Sequence, residues 1–102
     1  MSEPSIRAVV FKEGGWWIIQ LLEYDLATQV RRLEDVPSEF RRLLLGQMEA
    51  NAAIGVEPFH GFSRAPKRYW EMYERARTLV APTVLDDPAN ETSPRYEARL
   101  AA

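Results

Sequence analysis

Residues 16–22, WWIIQLL, decide how this chain of 102 residues is read. Aromatic and β-branched side chains suit the pleated, half-buried surface of a strand. Alternation puts Trp17, Ile19 and Leu21 on one side, and Trp16, Ile18, Gln20 and Leu22 on the other. Both sides are largely apolar. The pattern therefore predicts a strand inside a sheet, covered on one side by a helix and on the other by another element or a partner. Upstream, Ile6 to Phe11 reads as a strand, and Lys12-Glu13-Gly14-Gly15 as the connection whose glycines accept positive φ. Downstream, Glu23 to Leu26 reads as a turn and Ala27 to Arg31 as a short third strand.

A helix is predicted from about Glu34 to Ile54. Asp35 or an adjacent residue is expected to cap it, Pro37 fits its first turn, and Gly55 stops it. Val36, Phe40, Leu43, Leu44, Met48 and Ala52 form its apolar stripe. Gly46, costly inside a helix, is expected to mark a close approach to the sheet. A second helix is predicted over Pro66 to Val80, with Tyr69, Trp70, Met72, Tyr73, Ala76, Leu79 and Val80 on its apolar face. Glu71, Glu74, Arg75 and Arg77 lie outside, and Glu71 stands four residues before Arg75 in the favourable order. Residues 81–102, with three prolines and few apolar side chains, read as a loosely structured C-terminal tail, leaving 1–80 as the domain. The expected fold class is α+β: a small antiparallel sheet, β-β-β-α, packed by a long helix on one face, plus a second C-terminal helix.

Composition narrows the chemistry. The chain is 46% hydrophobic and 27% charged, a globular composition that buries one modest core. It has no cysteine, which excludes disulfides, thiolate zinc sites and a cysteine nucleophile. Its single histidine excludes sites that need two imidazoles from one chain. The net charge of −2 argues against a dedicated nucleic-acid binder, although residues 36–80 alone carry +2. No apolar run approaches the length of a membrane span, and the N-terminal MSEPSIR has no signal pattern. A cytoplasmic protein is expected, with no membrane partner.

No motif points to catalysis. His60, in PFHGF, has no orienting carboxylate or nucleophile at a predictive spacing, and Glu57 and Ser63 form no metal-ligand pattern beside it. The carboxylate pairs Glu23/Asp25, Glu34/Asp35 and Asp86/Asp87 read as turn or helix-entry residues. Gly14-Gly15 precedes a strand and lacks the phosphate-loop pattern, and Asn90-Glu91-Thr92 reads as a chance glycosylation sequon. No catalytic residue, metal or cofactor is expected.

Eleven aromatics in so small a chain exceed what one core needs, and interfaces are rich in tryptophan and tyrosine. Trp16, Trp17, Ile19, Tyr24, Tyr69, Trp70 and Tyr73 are the candidate protein-contact residues. An alternative is stacking of single-stranded bases on Tyr69, Trp70 and Tyr73, with Arg64, Lys67 and Arg68 holding phosphate.

Residues 6–44, IRAVVFKEGGWWIIQLLEYDLATQVRRLEDVPSEFRRLL, resemble the N-terminal domain of the HicB-like antitoxins. The match is carried by Trp17, the Gln20–Asp25 segment and the leucine-rich helix. The resemblance implies a β-β-β-α-β unit, a partial RNase-H-like fold that neutralises a small RNA-cleaving toxin and oligomerises. Many members add a C-terminal DNA-binding domain. Here LEYDLATQVRRLEDVP replaces the family's Pro- and Gly-bearing loop, and PKRYWEMYERART does not read as a DNA-binding domain. The expectation is a non-enzymatic homo-oligomer that binds a protein, with a small toxin as the candidate partner. A nucleic-acid-binding regulator and an orphan structural oligomer are the alternatives.

Overall fold

The computed structural model describes residues 6–55, 61–84 and 95–101. Strands β1 (Ile6–Glu13) and β2 (Trp16–Leu21) form an antiparallel hairpin. Glu13 pairs with Trp16, so Gly14 and Gly15 alone make the turn, with φ of 57° and 82°. Positive φ at both central residues matches the twist of the two strands, and glycine adopts it without a Cβ clash. After β2 the chain doubles back, the Leu21 amide donating to the Leu26 carbonyl at 2.9 Å. Strand β3 (Ala27–Val30) then pairs antiparallel with β2. The three expected strands are present in the expected order.

A 3-10 turn at Leu33–Asp35 leads into helix α1 (Val36–Ala53). Asp35 contributes its carbonyl oxygen, which accepts from the Ser38 hydroxyl at 3.1 Å. Val36, Phe40 and Leu44 are buried on the helix, a four-residue spacing that faces one side of the sheet. They pack with Ile6, Ala8 and Val10 of β1 and with Ile19 and Leu21 of β2. Full burial of a side chain of this size contributes about 1.5–3 kcal/mol. Gly46 makes no close approach: a Cβ there would have nothing within 4 Å. It lies on the exposed side of α1, and the expected sheet contact is not made.

Three expectations for the C-terminal half need correction. First, helix α2 (Lys67–Arg75) is nine residues long and stops well before Val80. Ala76 is already extended, with φ −75° and ψ 136°. Strand β4 (Thr78–Val84) follows, because the β-branched Thr78, Val80, Thr83 and Val84 favour extended backbone. Pro82 is tolerated since β4 is an edge strand. Second, residues 81–102 are not simply a loose tail: Arg95–Leu100 forms strand β5, paired with β4 and inserted beside β1. Third, the sheet is mixed rather than antiparallel. Its order is β3-β2-β1-β5-β4, and β1 and β5 run parallel.

The helices also occupy opposite faces, not one. Helix α2 packs over β1 on the side away from α1, where Val9, Leu22, Ala65 and Tyr73 form a second buried cluster. Two bonds tie the segment before α2 to the end of β2. The Ala65 amide donates to the Leu22 carbonyl at 2.9 Å, and the Asp25 amide donates to the Ser63 carbonyl at 2.6 Å. Among the described residues the architecture is α+β, a mixed five-stranded sheet between a long helix and a short one. Among the described residues, no helix is long and apolar enough to cross a membrane.

Candidate interaction surface

The residues expected to make protein contacts divide sharply by burial. Ile19 is completely buried under α1 and belongs to the core. Tyr73 is 5% exposed, packed between α2 and the sheet. Neither offers a contact surface, because each is consumed by an internal face that the sequence pattern did not separate from an external one. Tyr24 is half-buried against the α1-side core. Tyr69 stacks on Phe11, ring centroids 5.9 Å apart and planes 20° from parallel. Trp70 is half-buried, with the guanidinium groups of Arg7 and Arg64 at 4.9 and 4.2 Å from its ring centre. Most of the α2 aromatic stripe is thus spent on the protein's own sheet.

The α2-side face is not uniformly roofed. Register places Phe11 beside Ile18 and Ile18 beside Gln29, so β1, β2 and β3 present these residues in one row. Helix α2 covers the β1 end of that row through Tyr69. At the other end Ile18 is half-buried, and Ala27 and Gln29 of β3 are exposed. Trp16, two residues along from Ile18, is also half-buried and carries the Arg31 guanidinium 3.6 Å from its ring centre. Gln20, on the same face, is 5% exposed but satisfied: its amide donates to the Leu21 carbonyl and to Asp25 Oδ1, each at 3.0 Å. The result is an apolar strip, Phe11, Ile18 and Trp16, with one end under α2 and the other bordered by Gln29 of the edge strand β3.

The basic residues proposed to hold phosphate are engaged locally. Arg68 donates to the Tyr69 hydroxyl at 2.9 Å and lies 4.6 Å from that ring's centre. Hydrogen bonding to that oxygen holds the guanidinium pKa above its ordinary value. Lys67 is 3.9 Å from Glu71, a contact at the limit of an ion pair. Glu71 therefore pairs toward Lys67, and Arg75, its expected partner, makes no ion pair among the described residues. With Arg64 and Arg7 over Trp70, the rings offered for base stacking already hold guanidinium groups.

A polar cluster lies beneath α2. The Tyr73 hydroxyl donates to Glu97, Arg99 Nε donates to the same carboxylate oxygen at 3.0 Å, and the Arg99 guanidinium sits 4.3 Å from the Tyr73 ring centre. Burial, then the hydrogen bond to Glu97 and its negative charge, pushes the phenol well above its usual pKa. Tyr73 is held protonated, a structural donor. Nearby, Glu23 accepts from the Arg7 amide at 2.6 Å and from Arg7 Nε at 2.7 Å, which gives this carboxylate of the Glu23/Asp25 pair a structural partner. Glu34 pairs with Arg32 at 3.3 Å on the surface. Among the described residues no three His, Asp or Glu side chains converge on a metal position. Glu57, His60, the pair Asp86/Asp87 and Asn90 lie outside the described residues.

A concavity lies where β5 ends. Strand β5 stops at Leu100, opposite Val10, while β1 continues to Glu13. The space left beside the end of β1 is closed by the C-terminal turn of α2 and by Trp17, giving a hollow of about 540 Å³. Phe11, Trp17, Met72 and Leu100 wall it, and Lys12 and Arg75 stand in its lining. Its position depends on where β5 ends, and the clue to β5 was the alternation in RYEARL. No protein-family model, curated protein or solved structure matches the chain.

Proposed function

We propose that this chain is a non-enzymatic, HicB-like protein-binding module that self-associates through the α2-side face of β2 and β3. One observation carries the reading: Trp16 and Ile18 stay half-buried on a sheet face whose β1 end is roofed by α2. Apolar side chains set beside an edge strand gain by being covered with a matching surface. A second copy supplies such a surface by two-fold symmetry, each strip meeting its equivalent. The element order β-β-β-α over residues 6–53 supports the family resemblance, and β5 returns to the sheet beside β1. Helix α2 and strand β4 are additions to the unit that the resemblance implies. The acidic chain, net −2, complements a small basic toxin as a second partner.

Co-expression of tagged and untagged copies tests the self-association. Capture of the tagged chain should retrieve the untagged one, and Ile18→Asp in both copies should abolish retrieval while the far-ultraviolet spectrum stays unchanged. Equal retrieval with and without Ile18→Asp would place the contact elsewhere and overturn the reading.

A further inference from the structure

We propose that the hollow beyond the end of β5 is a binding site for a small amphipathic carboxylate. Its apolar body lies against Phe11, Trp17, Met72 and Leu100, and its carboxylate between Lys12 and Arg75. The hollow is distinct from the Trp16 and Ile18 strip, and the inference does not depend on self-association.

The volume, about 540 Å³, falls within the roughly 300–1,000 Å³ typical of small-molecule sites. Two aromatic rings, a thioether and a leucine side chain provide walls that favour an apolar ligand body. Among the described residues the register leaves this space without a strand: β5 ends alongside Val10, three residues before β1 ends.

The charge in the lining selects the head group. Lys12 and Arg75 are both exposed, and neither forms an ion pair among the described residues. The Lys12 ammonium lies 5.7 Å from the Trp17 ring centre, which keeps its charge beside the wall of the hollow. Arg75 presents the planar fork that accepts a carboxylate in two parallel hydrogen bonds. Two cations beside an apolar wall suit a monoanion on an apolar body. A neutral apolar molecule leaves both charges unused.

Phenylbutyrate is the probe, followed by amide NMR of the full chain, with phenylbutanol as its neutral counterpart and butyrate lacking the apolar body. Saturable shifts are expected at the amides of Phe11, Lys12, Leu100 and Ala101. Phenylbutyrate should bind about tenfold more tightly than phenylbutanol, about threefold for each cation, and butyrate should not saturate. The double substitution Lys12→Gln and Arg75→Gln, both on exposed side chains, should remove the preference and leave the rest of the spectrum in place. Equal affinity for the acid and the alcohol, shifts centred on Trp16 and Ile18, or no saturable shift at these four amides would each overturn the proposal.

Discussion

Ala8 of β1 stands opposite Ala98 of β5 in parallel register, and neither has any exposed surface. This pair ties the last strand of the chain to the first, beneath α1. Small side chains at both positions let the helix approach the sheet closely, so volume added here has nowhere to go. Ala98→Leu is expected to lower stability by about 1–3 kcal/mol, the usual cost of overpacking. Urea unfolding checks it. A change within experimental error would mean that residues 95–100 do not pack in the core.

Gly46 leads to the opposite expectation. It sits in α1 with open space where a Cβ would lie, so no packing opposes alanine. Gly46→Ala should raise stability by about 0.5–1 kcal/mol through helix propensity and reduced freedom of the unfolded chain. The thermal midpoint should rise. A fall would indicate the close helix–sheet contact that the sequence suggested and the structure does not contain.

The Glu39 carboxylate joins β3 to α1. It accepts from the Thr28 hydroxyl at 2.6 Å and from Arg42 through two bonds, Nε at 2.7 Å and Nη2 at 2.6 Å. Hydrogen bonding from Arg42, with that from Thr28, holds its pKa below the ordinary carboxylate value despite partial burial. A lowered folded-state pKa contributes stability that is complete above the unfolded value and disappears as pH falls through the folded one. Glu39→Gln should therefore destabilise the protein at neutral pH, with the difference from wild type shrinking on acidification. Parallel unfolding curves from neutral to acid pH report this directly. A difference that is constant with pH would contradict the assignment.

The parts of the fold that were legible in the sequence are those with local causes. Gly14-Gly15 fixes the hairpin because positive φ at both residues selects a two-residue turn. The spacing of Val36, Phe40 and Leu44 fixes the buried face of α1. Strand β5 was harder to see. Its Glu97 and Arg99 look solvated in sequence, yet they are half-buried because Tyr73 on α2 and the two charges satisfy one another. The sequence pattern carries helix α2 too far for a related reason. Thr78, Leu79 and Val80 suit either a helix face or a strand, and pairing with β5, distant in the chain, decides between them. In the candidate surface, Trp16 is half-buried, which leaves its reading as a contact residue a proposal, whereas Ile19 lies in the core, since alternation separates two faces without saying which one a helix covers.

Sedimentation equilibrium of the untagged chain, from low micromolar to submillimolar concentration, tests the central claim of self-association through the Trp16 and Ile18 face. The account predicts a wild-type mass that rises to at least that of a dimer, and an Ile18→Asp variant that remains a monomer throughout. A wild-type chain that stays monomeric across the range, or a variant that associates as strongly as wild type, would contradict it.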